Sequence, residues 1–182
     1  MQQLEQMHDQ VASHYRLAWL LTNESELSVN ATLDALDTEF DPNWSFDEWM
    51  SAWSRRVVIA KVLTAIRGRL AASARHTASL RLRDRELPLG SARPDDHITA
   101  IQLERALLTI DVFPRCALVL TVFEGILVED AAVLLDATAE LVRKARTLGL
   151  TQLVDSLAEM RVPTSVSYQP FVMREGAACL NA

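Results

Sequence analysis

Residues 125–150, GILVEDAAVLLDATAELVRKARTLGL, carry apolar side chains at helical spacing on both sides of a short break at Asp136, Ala137 and Thr138. Two helices that must bury adjoining faces across so short a turn can adopt few shapes, and a helix-turn-helix is the foremost of them. The first helix, Glu129 to Leu135, is expected to bury Ala131, Ala132, Leu134 and Leu135, with the alanines small enough for a second helix to cross closely. At Asp136 the turn calls for a positive φ, which Asp tolerates better than most side chains. Thr138 then caps a second helix. Its packing face is Leu141, Val142, Ala145 and Leu148, leaving Glu140, Arg143, Lys144 and Thr147 outward and Arg146 at the flank. A helical hairpin with no nucleic-acid role carries the same pattern.

The rest of the chain is also patterned for helices. Leu4, Met7, Val11, Tyr15, Ala18 and Trp19 recur every three or four residues, so a first amphipathic helix should end near Thr22 and Asn23. A second is expected over Ser28 to Leu36, stopped by Asp41, Pro42 and Asn43. Ser45 and Glu48 in SFDE spell a capping box. From there Phe46 to Leu70 keeps the period as one long helix or two in tandem. Trp44, Trp49 and Trp53 fall at helical spacing and are expected to be core anchors, because a buried indole packs a large area. Pro88, Gly90, Ser91 and Pro94 mark a linker. Asp95 or Asp96 should start the next helix, burying Ile98, Ile101, Leu103, Leu107 and Leu108, and Pro114 should interrupt it ahead of a helix from Arg115 to Phe123. The tail from Pro163 has no sustained periodicity and is expected to be loose.

Composition agrees with an all-α chain: 49% of residues are hydrophobic, and only 5 of the 182 are Gly and 6 Pro. The expected architecture is two small helical domains, residues 1–85 and 103–160, joined by a linker over 86–102 and followed by a tail from 161 to 182, with the C-terminal domain a helix-turn-helix. Cys116 and Cys179 lack CxxC or zinc-ligand spacing, so neither a disulfide nor a metal is expected. No signal sequence or membrane-spanning run is evident, and a soluble cytoplasmic protein is the expectation. His8, His14, His76 and His97 are scattered, and no phosphate loop, nucleophile elbow or metal frame is present, so neither an enzyme nor a cofactor is expected.

The net charge of −6 conceals a strong asymmetry. Before Arg55 the only base is Arg16, set among acids such as Glu24, Glu26, Asp34 and Asp37. From Arg55 to Arg85 the sign reverses, with Arg55, Arg56, Lys61, Arg67, Arg69, Arg75, Arg81 and Arg83 opposed only by Asp84. This stretch either faces a polyanion or pairs with the acidic N-terminal helices in a packed bundle.

Taken together, these elements resemble a sigma factor of bacterial RNA polymerase, of the small two-domain extracytoplasmic-function (ECF) type. Pro114 and Arg115 fall where that family has its LP…R segment, Phe123-Glu124-Gly125 fits its fegls turn, Glu129-Asp130-Ala131-Ala132 its eEIA helix, and Val142 the packing valine of its recognition helix. HYRLAWLLTNESELSVNATLDAL is similar to its first two helices, and FDEWMSAWSRRVVIAKVLTAIRGRL to its WL…IA stretch, with Trp49 as the tryptophan. The resemblance covers about residues 8 to 155. It implies core RNA polymerase, promoter DNA and an anti-sigma protein as partners, with no membrane partner. Arg143, Lys144, Arg146 and Thr147 would be DNA-facing, and Arg55, Arg56, Arg67, Arg69 and Arg75 a second basic DNA-facing stretch. Where the family carries an acidic pair and a glutamine in its second helix, this chain has Leu27, Ser28, Val29, Asn30 and Thr32. A sigma-like fold used as a protein-interaction module without DNA binding is the alternative.

Overall fold

The computed structural model describes residues 2–39, 47–81 and 98–161, and these are helical with no strand. In chain order the helices are α1 (Gln2–Thr22), α2 (Ser25–Glu39), α3 (Asp47–Ala65), α4 (Arg67–Ser79), α5 (Ala100–Thr109), α6 (Val112–Leu118), α7 (Val128–Leu134) and α8 (Ala139–Arg161). A π-helical turn, Val119–Phe123, continues α6 directly. The capping box at Ser45, most of the linker and the tail lie outside the described residues.

α1 ends where its pattern predicts. Asn23 adopts φ 57° and its N–H donates to the Trp19 carbonyl at 2.8 Å, closing the helix in the left-handed region that Asn tolerates. Small hydroxyl residues then let α2 fold back against α1. The Thr22 hydroxyl donates to the Ala18 carbonyl at 2.9 Å and accepts from the Glu24 N–H at 3.0 Å, while Ser28, fully buried, donates to the Glu24 carbonyl at 2.6 Å. α2 is longer than the expected Ser28 to Leu36 because this turn sets its start at Ser25. α3 and α4 are two helices in tandem, broken at buried Ile66, whose φ of −97° and ψ of 10° interrupt the helical run.

Several expected core positions are corrected. Trp53 is 46% exposed rather than a core anchor, because α3 turns Val58, Ile59, Val62 and Leu63 inward instead. The side chains of Trp44 and Trp49 lie outside the described residues. α5 is capped by Thr99 rather than begun at Asp95 or Asp96, and a complete capping box forms there: the Thr99 hydroxyl accepts from the Gln102 N–H at 3.2 Å, and the Gln102 side chain accepts from the Thr99 N–H at 3.0 Å. Residues 100–102, expected in the linker, are thus the first turn of α5. That register exposes Ile98 and Ile101 and buries Ala106, Leu107 and Ile110, with Leu103 and Leu108 half-buried.

α6 is the central element. It begins at Val112, not at Arg115, because Asp111 caps it and Pro114 falls inside the first turn, where its missing N–H has no partner to lose. The Asp111 carboxylate accepts from the Val112 N–H at 2.8 Å and from the Ser73 hydroxyl at 2.6 Å; that hydroxyl accepts in turn from the Phe113 N–H at 3.0 Å. Every N–H of the first turn therefore has a partner or is proline, which is what permits the helix end to be buried. Phe113, Cys116, Ala117, Leu118, Val119 and Leu120 have essentially no exposed surface. A helix apolar on all sides belongs in the middle of a bundle, and α6 packs against α1, α4 and α8. One cluster of buried residues accordingly draws on Leu17 and Leu21 of α1, Val58 and Val62 of α3, Phe113 of α6 and Val142 and Ala145 of α8. A smaller cluster joins Leu107 and Ile110 to Leu118 and Leu153.

Arg115 is the exception in this apolar run. It is 4% exposed, and its guanidinium donates to the carbonyls of Leu108 (3.3 Å), Ile110 (3.1 Å) and Leu21 (3.5 Å), while Nε has no partner among the described residues. Burial pulls its pKa below the ordinary arginine value. The acceptors sit at the C-terminal ends of α5 and α1, where the helix dipoles favour a cation. The neighbouring Cys116 thiol points to the same Leu21 carbonyl at 3.6 Å, and burial pushes its pKa up to about 12, against the opposing pull of Arg115.

Two tests follow from this packing. At Gly149 of α8 a Cβ would stand 3.0 Å from the Pro114 carbonyl and 3.4 Å from Leu118 Cβ, whereas at Gly68 of α4 it would meet nothing within 4 Å. Gly68→Ala should raise stability by about 0.5–1 kcal/mol through the lower entropy of the unfolded chain. Gly149→Ala should lower it by about 1–3 kcal/mol through overpacking, and thermal melts of the two variants read the opposite signs. The second test concerns Cys116. Its raised folded pKa means that the stability tied to the neutral thiol is intact below about 8.5 and is lost as pH climbs from there toward about 12. Urea unfolding across that window should show a shallower alkaline decline for Cys116→Ala than for the wild type.

Candidate nucleic-acid interface

The α7–α8 unit is built by local chemistry. α7 buries Ala131 and Ala132 and stops at Leu135; Asp136 takes φ 52°, with its N–H donating to Val133 O at 3.3 Å and the Ala137 N–H to Ala132 O at 3.0 Å. This pair of bonds is a Schellman ending, with Asp136 in the left-handed position usually held by Gly. The Thr138 hydroxyl accepts from the Leu141 N–H at 3.2 Å and starts α8, whose Val142 and Ala145 are fully buried. Leu134, expected to be buried, is exposed, because α8 packs over the Ala131, Ala132 and Leu135 side of α7.

The outward face of α8 is not left free. Arg143 is exposed and donates to the Glu129 carboxylate of α7 at 2.6 Å. Lys144 reaches across to α4 and donates from Nζ to the Ala78 carbonyl at 2.8 Å. Thr147 is exposed, with its hydroxyl turned back to the Arg143 carbonyl at 3.1 Å, and Arg146 is half-buried. Exposed Asp130, Asp136 and Glu140 lie on the same two-helix unit.

The basic stretch on α3 and α4 divides into pairs. Arg55 grips Glu124 with both ends of its fork, Nε to Oε2 at 3.0 Å and Nη2 to Oε1 at 2.5 Å, and gives a third bond to the Ser13 hydroxyl at 2.6 Å. Glu124 is largely buried by this contact. Arg69 pairs with Glu24 and Lys61 with Asp34 at 3.0 Å, joining the basic stretch to the acidic N-terminal helices, while Arg67 lies 4.0 Å from Asp136. Arg56 and Arg75 are exposed, and Arg75 Nε donates to the Ala71 carbonyl one turn back at 3.2 Å. Lys144 thus meets the last turn of α4, the helix that carries Arg75, while Arg55 is held by Glu124 and Ser13.

Two clefts flank this arrangement. One, of about 550 Å³, is lined by Asn23, Glu24, Arg69, Ser73, Asp111 and Arg115, so its two arginines face two carboxylates. The other, of about 370 Å³, holds the Arg55–Glu124 pair beside Arg16 and Leu20. Among the described residues no group of three His, Cys, Asp or Glu side chains could hold a metal ion, and no helix is long and apolar enough to cross a membrane.

The roles of Glu124 and Arg115 are not visible to pattern reading. Glu124 stands next to Gly125 and reads as a turn residue, and its partner lies 69 positions away. Arg115 carried one signal, a lone charge amid apolar residues 112 to 123. Comparison with protein-family models, with curated proteins and with solved structures finds no match.

The Arg55–Glu124 contact is charge-assisted, bidentate and partly desolvated, the geometry in which an ion pair is worth more than at the open surface. A double-mutant cycle with Arg55→Met and Glu124→Gln should give a coupling of about 1–3 kcal/mol in urea unfolding. The same cycle on the exposed Lys61–Asp34 pair should give less than about 1 kcal/mol.

Proposed function

We propose that this chain is a sigma-like transcription initiation factor of two helical domains, in which residues 1 to 80 dock on core RNA polymerase and the α7–α8 unit acts as a helix-turn-helix on promoter DNA. The observation that carries this reading is the α7–α8 turn. Its left-handed Asp136, Thr138 cap and close alanine contact are the features a recognition helix needs in order to be held at a steep angle to its support. The order of elements on both sides of it matches the family resemblance. On α2, Val29 and Leu33 are exposed one helical turn apart, an apolar pair suited to a protein partner.

No covalent chemistry is involved. Lysine and arginine contacts to phosphates supply affinity and the register of the protein on DNA, and side chains at the start of α8 supply sequence preference. The cytoplasm is the compartment this reading requires.

A second reading, a protein-interaction module on the same fold without DNA binding, is favoured by one observation. Glu129 holds Arg143, and exposed Asp130, Asp136 and Glu140 lie on the same two-helix unit, so the α7–α8 unit is only weakly basic.

Capture separates the two. Tagged protein should retain core RNA polymerase subunits from its host's lysate through washes of rising salt, and should bind promoter-length DNA with a negative slope of log Kobs against log salt. Arg143→Ala combined with Lys144→Ala should weaken that DNA binding several-fold. Unchanged affinity removes the recognition role from α8; a flat salt slope together with failed capture of polymerase favours the interaction module.

A further inference from the structure

We propose that the C-terminal end of α4 and the first turns of α8 form one composite phosphate-binding ridge for duplex DNA, built from Arg75, Arg81 and Lys144 across the seam between residues 2–81 and 98–161. The proposal rests on the nucleic-acid part of the function proposed above and not on the polymerase part.

From Arg67 to Arg81 the chain has no acidic residue. The two arginines at the start of α4 are spoken for, Arg67 lying beside Asp136 and Arg69 pairing with Glu24. Those near and just past its other end are not. Arg75 and Arg81 are exposed, and neither has a carboxylate partner among the described residues. Arg75 uses Nε on the Ala71 carbonyl, which lays the side chain along the helix and leaves its terminal nitrogens to other partners.

Lys144 completes the set from the neighbouring helix. Its bond to the Ala78 carbonyl places the ammonium at the last turn of α4, with Arg75 one turn earlier on that helix and Arg81 just past the extended cap at Leu80. An ammonium has three donors, and this bond uses one of them. The same bond caps the negative end of the α4 dipole, which would otherwise repel a phosphate at this point. Arg143 is excluded from the ridge: it lies about 100° further round α8 and is neutralised by Glu129. The surface thus combines the far end of the basic stretch of the N-terminal half with one lysine of α8, and it exists only while the two halves are packed together.

Three cations in contact with phosphates would contribute about −2.7 to the slope of log Kobs against log salt, at about 0.9 per neutralised phosphate. The test is fluorescence anisotropy of a labelled mixed-sequence duplex with the full chain, over a range of KCl concentrations. Arg75→Gln, Arg81→Gln and Lys144→Gln should each reduce the magnitude of the slope by about 0.9, and the triple variant by about 2.7. Lys61→Gln, at an exposed site paired with Asp34, should leave it unchanged. The helical circular dichroism spectrum of each variant checks that it is folded. Unchanged slopes in the three ridge variants, or no duplex binding by the wild type, overturn the ridge. Polymerase capture by the folded triple variant is read in parallel: capture without duplex binding sinks the ridge and keeps polymerase docking, whereas ridge-dependent duplex binding without capture keeps the ridge and sinks the sigma-like reading.

Discussion

Arg115 is a cation almost without solvent, held by the carbonyl ends of two helices from opposite halves of the chain, Leu21 on α1 and Leu108 and Ile110 at the end of α5. A guanidinium suits this place because its planar fork can serve carbonyls arriving from different directions, which a lysine ammonium on a single stem does less well. Its charge is offset by two helix dipoles, with Asp111 contributing in the same sense nearby. The contact fixes where α1 and α5 end relative to α6. Since α6 is buried on every side, those ends then position α4 and α8, and with them the seam on which the proposed DNA contacts lie.

The seam itself is mostly apolar. Leu17, Leu21, Phe113, Cys116 and Leu120 are all at or below 3% exposure, and burying a side chain of this size contributes about 1.5–3 kcal/mol. A handful of such residues outweighs the polar contacts that decorate the seam, because an intramolecular hydrogen bond adds only about 0.5–1.5 kcal/mol net. The polar contacts do something different: Arg55 on Glu124, Ser73 on Asp111 and Lys144 on Ala78 fix register and orientation, which apolar packing alone leaves degenerate. A linker rich in Pro and Gly suggests two independent halves, but a shared apolar core makes separation costly unless a partner covers what it exposes.

What was legible in the sequence was local. The end of α1 at Thr22 and Asn23, the left-handed Asp136 and the Thr138 cap depend on residues within one or two turns, and all appear where the pattern puts them, whereas the pattern leaves one long helix and the observed tandem of α3 and α4 equally open. Periodicity finds a helix and its apolar stripe but not which edge of the stripe meets a neighbour, and Trp53, Ile101 and Leu134, which the stripe includes, only border the core. Pro114 looks like the boundary of α6, while the cap that sets it is Asp111, completed by Ser73 from 38 residues earlier. Lys144 on Ala78 and Arg55 on Glu124, separated by 66 and 69 positions, leave no trace in spacing.

The charge map shows the same division between local pattern and assembled surface. The acidic N-terminal helices take up part of the basic stretch through Lys61–Asp34 and Arg69–Glu24, and Arg55 and Arg67 turn to acids of the C-terminal half. Arg75 and Arg81 have no carboxylate partner among the described residues, and Lys144 of α8 reaches the Ala78 carbonyl at the end of α4. With a net charge of −6 the whole chain repels a polyanion at long range. At physiological ionic strength, however, the field of a charge is screened over about 8 Å, so the distant acids are muted where cations in direct contact with phosphate are not. A net charge of the same sign as DNA is therefore compatible with the proposed phosphate contacts. Association would lack electrostatic steering and be slow relative to that of a basic protein, and discrimination would rest on contact geometry rather than attraction from afar.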